Sequence, residues 1–136
     1  MSFQTFASLQ NQKTVLLAQN SKYIAVEKEL LYALFKPEVS RIWVDAEWYL
    51  EKYTDVAAAV KEGLFASAEE HYRSAGYYEN RMPYELLVDE DWYLEQYPDI
   101  REGVSSGVFK SGQHHFEING YGEGRHPFAH FSLKQA

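Results

Sequence analysis

Apolar and polar positions along residues 44–84 follow an order that returns, without a gap, along residues 88–128. Trp48, Tyr49, Leu50, Tyr53, Val60 and Phe65 recur 44 residues later as Trp92, Tyr93, Leu94, Tyr97, Val104 and Phe109. The polar punctuation recurs with them. Asp45, Asp55, Ser67, His71, Glu79 and Arg81 return as Asp89, Asp99, Ser111, His115, Glu123 and Arg125, and Gly63, Gly76 and Pro83 as Gly107, Gly120 and Pro127. A fixed period with matched punctuation predicts one supersecondary unit used twice.

Each copy parses into three short helices. Asp45 and Asp89 stand where an N-cap belongs, because a side-chain oxygen there accepts an otherwise free backbone N–H. Pro98 starts the second helix of its copy, and Gly63 and Gly107 follow the second helices as left-handed caps. Ser67 and Ser111 open the third helices, with Ser67-Ala-Glu-Glu70 fitting a capping box. Gly76 and Gly120 end them, and the Gly-, Asn- and Pro-containing tails form structured loops.

The first 43 residues carry a different pattern. Phe6–Leu9, Thr14–Ala18 and Lys22–Val26 are short apolar or β-branched runs separated by Asn- and Ser-containing connectors. This predicts strand, turn, strand, turn, strand, with Leu31–Phe35 as a fourth strand stopped by Pro37. A helix over Glu27–Phe35 competes, with Ala25, Leu30, Leu31 and Leu34 on one face. The architecture expected is therefore α+β: an N-terminal β-meander over residues 1–43, tandem three-helix repeats over 44–84 and 88–128, and a tail over 129–136.

Composition narrows the chemistry. The 136 residues include no cysteine, which excludes disulfides, thiol catalysis and Cys-ligated zinc. Net charge is −7, which disfavours nucleic acid as partner. The charge divides unevenly, +2 over residues 1–43 and −9 over the rest, suggesting distinct surfaces and head-to-tail contact between chains. No run approaches the ~18 apolar residues of a membrane helix, and no signal peptide is evident, so membrane insertion is not expected and the location expected is cytoplasmic.

Candidate site residues come from the duplicated set. His71 and His115 are the one histidine position shared by both copies, more readily packed over an aromatic ring than catalytic. Arg81 and Arg125, beside Glu79 and Glu123, read as clamps whose planar forks pair with carboxylates such as Asp55 and Asp99. Trp48, Tyr49, Trp92 and Tyr93 offer rings for a sugar or for contact between copies, and adjacent helical positions send one of each pair inward. His114, Glu117, His126 and His130 match no closed four-ligand spacing, so neither metal nor cofactor is expected. There is no Gly-x-Ser-x-Gly elbow and no phosphate-binding Gly-x-x-x-x-Gly-Lys loop.

Tyr49-Leu50 with Tyr53-Thr54-Asp55-Val56, and His71-Tyr72 with Gly76, Glu79 and Arg81, together resemble a repeat of bacterial proteins. Its pattern is Tyr-Leu-x-x-Tyr-Pro-Asp-Val followed by His-Tyr-x-x-x-Gly-x-x-Glu-Gly-Arg. Thr54 and Asn80 depart from it in the first copy, and Phe116 in the second. Such repeats accompany glycosyltransferases and large calcium-binding surface proteins, and the resemblance implies an accessory, non-catalytic module. Residues 15–27 resemble one unit of a fascin-like β-trefoil; since a trefoil needs three such units, the resemblance implies an oligomer or a lone small sheet capping the helical part. The function expected is a scaffold or interaction module binding a protein or itself. A carbohydrate-binding module is the alternative.

Overall fold

The computed structural model describes residues 18–19 and 24–133, and they fall into two compact units, Met1–Ser40 and Arg41–Ala136. The expected strands Phe6–Leu9 and Thr14–Leu17, and most of the trefoil-like string, lie outside the described residues.

The β-meander is overturned. In the first unit, β1 (Ala18–Gln19) pairs antiparallel with β2 (Ile24–Ala25) through only two residue pairs. Helix α1 (Lys28–Val39) occupies the segment expected to be a fourth strand. The reason is local propensity. Seven of the nine residues from Lys28 to Lys36 are Leu, Glu, Lys or Ala, which lose little freedom in a helix; Tyr32 and Phe35 are the others, and none is β-branched. Pro37 does not stop it: the helix runs two residues further, and Ser40 then directs both its N–H and its hydroxyl to the Lys36 carbonyl.

The second unit holds both copies. Copy one comprises α2 (Ala46–Lys52), α3 (Thr54–Lys61) and α4 (Ala68–His71), which continues as a π-helical turn over Tyr72–Gly76. Copy two comprises α5 (Glu90–Gln96), α6 (Pro98–Ser105) and α7 (Gly112–His115), continued by a π-helical turn over Phe116–Gly120. Asp45 accepts the Trp48 N–H and Asp89 the Trp92 N–H, both at 3.1 Å. Ser67 and Ser111 cap α4 and α7 through the Glu70 and His114 N–H groups. The Glu70 carboxylate reaches back to the Ala66 N–H, one residue beyond the N-cap N–H of a reciprocal capping box.

Each copy closes on its own start. The Asp45 N–H donates to the Pro83 carbonyl and the Asp89 N–H to the Pro127 carbonyl, both at 3.0 Å. Tyr49, Val56, Ala68 and Tyr72 are buried in copy one; Tyr93, Ile100 and Phe116 are buried in copy two with Met82, Tyr84 and Leu86. No helix among the described residues is long and apolar enough to cross a membrane.

Candidate functional site

The centre of each copy is a tyrosine–histidine pair over a glycine. Tyr49 sends its hydroxyl to Nδ1 of His71 at 3.0 Å, and Tyr93 sends its own to Nδ1 of His115 at 2.9 Å. All four side chains are buried. Burial raises both phenol pKa values well above normal, so each phenol keeps its proton. Nε2 of His115 lies 3.7 Å from Glu123. Burial, and secondarily Arg81, lowers the His71 pKa; burial is also the leading cause for His115. The edges of Phe65 and Phe109 complete the two cages, each 4.7 Å between ring centres.

Around this core sits a charged latch. Arg81 donates through both terminal nitrogens to Asp55 (3.0 and 2.8 Å) and through Nε to Glu79 (2.7 Å). Its guanidinium lies 5.0 Å from the centre of the Tyr53 ring, and the Tyr53 hydroxyl accepts the Met82 N–H at 2.8 Å. Copy two repeats every part: Arg125 on Asp99 (3.1 and 2.6 Å) and Glu123 (2.7 Å), over Tyr97, whose hydroxyl accepts the His126 N–H. Pairing with arginine holds the Asp55 and Asp99 carboxyls below the usual range. The latch pins the loop after the third helix to the start of the second. Because Asp55 and Asp99 are largely exposed, solvent screens these pairs, and Arg81→Ala or Arg125→Ala is expected to destabilise by about 1 kcal/mol each. Thermal denaturation checks this, and an unchanged midpoint would refute the latch.

The two copies meet reciprocally. Asn80, Arg81 and Met82 of copy one line a groove of about 630 Å³ with Tyr121 and Gly122 of copy two. Tyr77 and Tyr78 of copy one line a second groove, of about 380 Å³, with Gly124, Arg125 and His126 of copy two. Residues 77, 78, 80, 81 and 82 match 121, 122, 124, 125 and 126, so at these positions the two grooves draw corresponding residues from opposite copies. There the copies stand in an approximate two-fold relation.

Tyr72 also reaches the other copy. Its buried hydroxyl is coupled to that of Tyr121 but completes no hydrogen bond of normal geometry. The matching residue in copy two is Phe116, equally buried. Removing a hydroxyl that gains little from its neighbour leaves no stronger partner stranded. Tyr72→Phe is therefore expected to change the unfolding free energy by less than about 1 kcal/mol, and toward greater stability. Chemical denaturation measures this directly.

The eight candidate residues thus fall into distinct places. Tyr49, Tyr93, His71 and His115 are enclosed and offer no face to an outside ligand. Arg81 and Arg125 are engaged with their carboxylates. Trp48 and Trp92 are half-buried, edge-on to Tyr53 and Tyr97 at 6.2 Å. The groove residues Asn80, Met82, Ile118 and Tyr121 were not foreseen. The one cue in the sequence was Ile118, an isoleucine where copy one has Ser74. Among the described residues no group of three or more His, Asp and Glu side chains converges to hold a metal. No protein-family model matches the chain, and neither a curated protein nor a solved structure does.

Proposed function

We propose that residues 41–136 form a non-catalytic module that binds another protein. The observation that carries this reading is where the duplicated polar groups are committed. The histidines, arginines and cap aspartates that recur in both copies each bond within their own copy. They maintain shape and leave no recurring nucleophile or general base poised in a cleft. What the surface offers instead is recurring exposed apolar side chains, Trp43 matched by Leu87 and Leu64 by Val108, together with two shallow grooves. Apolar points within a charged surface suit a protein interface.

The carbohydrate alternative draws less support. A sugar site of this kind needs an aromatic face open to solvent. Tyr49 and Tyr93 have none, Trp48 and Trp92 are half-buried against neighbouring rings, and Trp43, which is exposed, has a leucine, Leu87, at its matching position. The deciding experiment couples cross-linking mass spectrometry of the tagged chain in its own cells with a glycan array. Cross-links from residues 41–136 to one protein at stoichiometric yield are expected. Saturable glycan binding without a protein partner would overturn the proposal.

A further inference from the structure

Each copy threads three oxidisable rings from a half-buried indole to its centre. In copy one the Trp48 and Tyr53 ring centres lie 6.2 Å apart, and those of Tyr53 and Tyr49 4.8 Å. In copy two Trp92, Tyr97 and Tyr93 repeat the series at 6.2 and 4.7 Å. The outer and middle rings are half-buried and the inner ones fully buried. Rings in edge contact exchange an electron far faster than solutes meet by diffusion. The protein has no cysteine, so no thiol of its own intercepts an oxidising equivalent on the way.

Two features set where such an equivalent comes to rest. An arginine lies over each middle ring, Arg81 at 5.0 Å from Tyr53 and Arg125 at 4.7 Å from Tyr97, and a cation there opposes the loss of an electron. The inner phenols instead touch a base, Nδ1 of His71 at 3.0 Å and Nδ1 of His115 at 2.9 Å. A phenol that has lost an electron is a strong acid, and a base within hydrogen-bond reach takes its proton. Each latch sets two carboxylates against one guanidinium, so an imidazolium formed this way faces a surplus of negative charge that offsets part of the cost of burial. Packing alone does not require the hydroxyl. Phe116 is as buried as Tyr93, yet the histidine-bonded ring is tyrosine in both copies.

We propose that Tyr49 and Tyr93 hold an oxidising equivalent as a neutral radical, delivered through Trp48 and Tyr53 or Trp92 and Tyr97, while His71 or His115 keeps the phenol proton. A one-electron oxidant of the free-radical class takes an electron from the outer indole. One electron then passes from Tyr53 to Trp48, and one from Tyr49 to Tyr53. The Tyr49 proton crosses to Nδ1 of His71, in the tautomer whose own proton is on Nε2. The balance is one electron gained by the oxidant, one phenoxyl radical and one imidazolium. A reductant such as ascorbate returns the electron, and the proton goes back to the phenol. The inference is independent of the protein-binding reading, which concerns the surface, and neither falls with the other.

The test is flash oxidation of the full chain by photogenerated tris(bipyridine)ruthenium(III), followed by electron paramagnetic resonance of frozen samples. Expected is a neutral tyrosyl radical that ascorbate quenches more slowly than the radical of free tyrosine, and whose formation is slower in heavy water. Tyr49→Phe with Tyr93→Phe should abolish this persistent signal. Trp48→Phe with Trp92→Phe should lower its yield and leave its shape unchanged. His71→Asn with His115→Asn should slow its formation roughly a hundredfold, the worth of a positioned base, and remove the heavy-water effect. Circular dichroism reports the fold of each variant. Where one fails to fold, the quenching and heavy-water measurements on the unaltered chain decide alone. A persistent signal that survives Tyr49→Phe with Tyr93→Phe would overturn the proposal. So would quenching as fast as that of free tyrosine, or equal rates of formation in light and heavy water.

Discussion

Gly120→Ala and Gly76→Ala are each expected to destabilise the protein by about 2–3 kcal/mol, at the upper end for overpacking a well-filled core. A Cβ at Gly120 would overlap the Tyr93 hydroxyl, and one at Gly76 the Tyr49 hydroxyl. Those tyrosines cannot withdraw, because each is fully buried and bonded to its histidine. At Gly120 the same Cβ would also press on the His115 ring at 3.3 Å. The comparison is Gly63 and Gly107, whose φ values are +78° and +79° and whose missing Cβ would meet nothing within 4 Å. Alanine there carries only left-handed backbone strain of about 1 kcal/mol. Chemical denaturation of the four variants should separate the two pairs. A double-mutant cycle adds a sharper check: in a Tyr93→Phe background the Gly120→Ala penalty should shrink by about 1 kcal/mol or more, since the obstructing oxygen is gone. Full additivity would show that the clash is not the cause.

Acidification should weaken both copies together. The folded-state pKa of His71 and of His115 lies below the unfolded value near 6.5. Above that pH both states are neutral, and the stabilising contribution is fully present. As pH falls below it, the unfolded chain binds protons that the folded protein refuses, and stability drops until the folded-state values are passed. The groups facing His71 are Arg81, Glu79 and Asp55; those facing His115 are Glu123, Arg125, Asp99 and His114. Protonation would place a charge on a ring enclosed by Tyr49 and Phe65, or by Tyr93 and Phe109. A separate loss follows at lower pH. Asp55 and Asp99 stabilise the fold above their usual pKa of 3.8, and that contribution disappears as pH falls through their lowered folded values. The melting temperature from pH 8 to pH 2 should therefore fall in two stages. His71→Asn with His115→Asn should flatten the first stage and spare the second.

Much of the second unit was legible in the sequence because its signals are local and doubled. Asp45, Ser67 and Gly63 announce helix ends by backbone chemistry that acts within a turn, and their copies repeat the message. The pairing of Arg81 with Asp55 was readable as chemistry, since a planar fork beside acidic neighbours has few other uses. The first unit was misread for the opposite reason. Leu31–Phe35 is a short apolar run whose period fits either element, and Pro37 was given more weight as a terminator than Leu, Lys and Ala were given as helix formers. The π-helical turns were not foreseen at all. They end at Gly76 and Gly120, which lie under a tyrosine hydroxyl, a contact across 27 residues that no local pattern encodes. The grooves were hidden too, because they depend on how one copy sits against the other.

The reciprocal contact between the copies has a consequence for lineage and length. A face that is its own complement is satisfied by a single mate. One cassette alone would leave that face without a mate. A descendant given a third cassette would carry an orphan. Growth of such a protein should therefore proceed by even numbers.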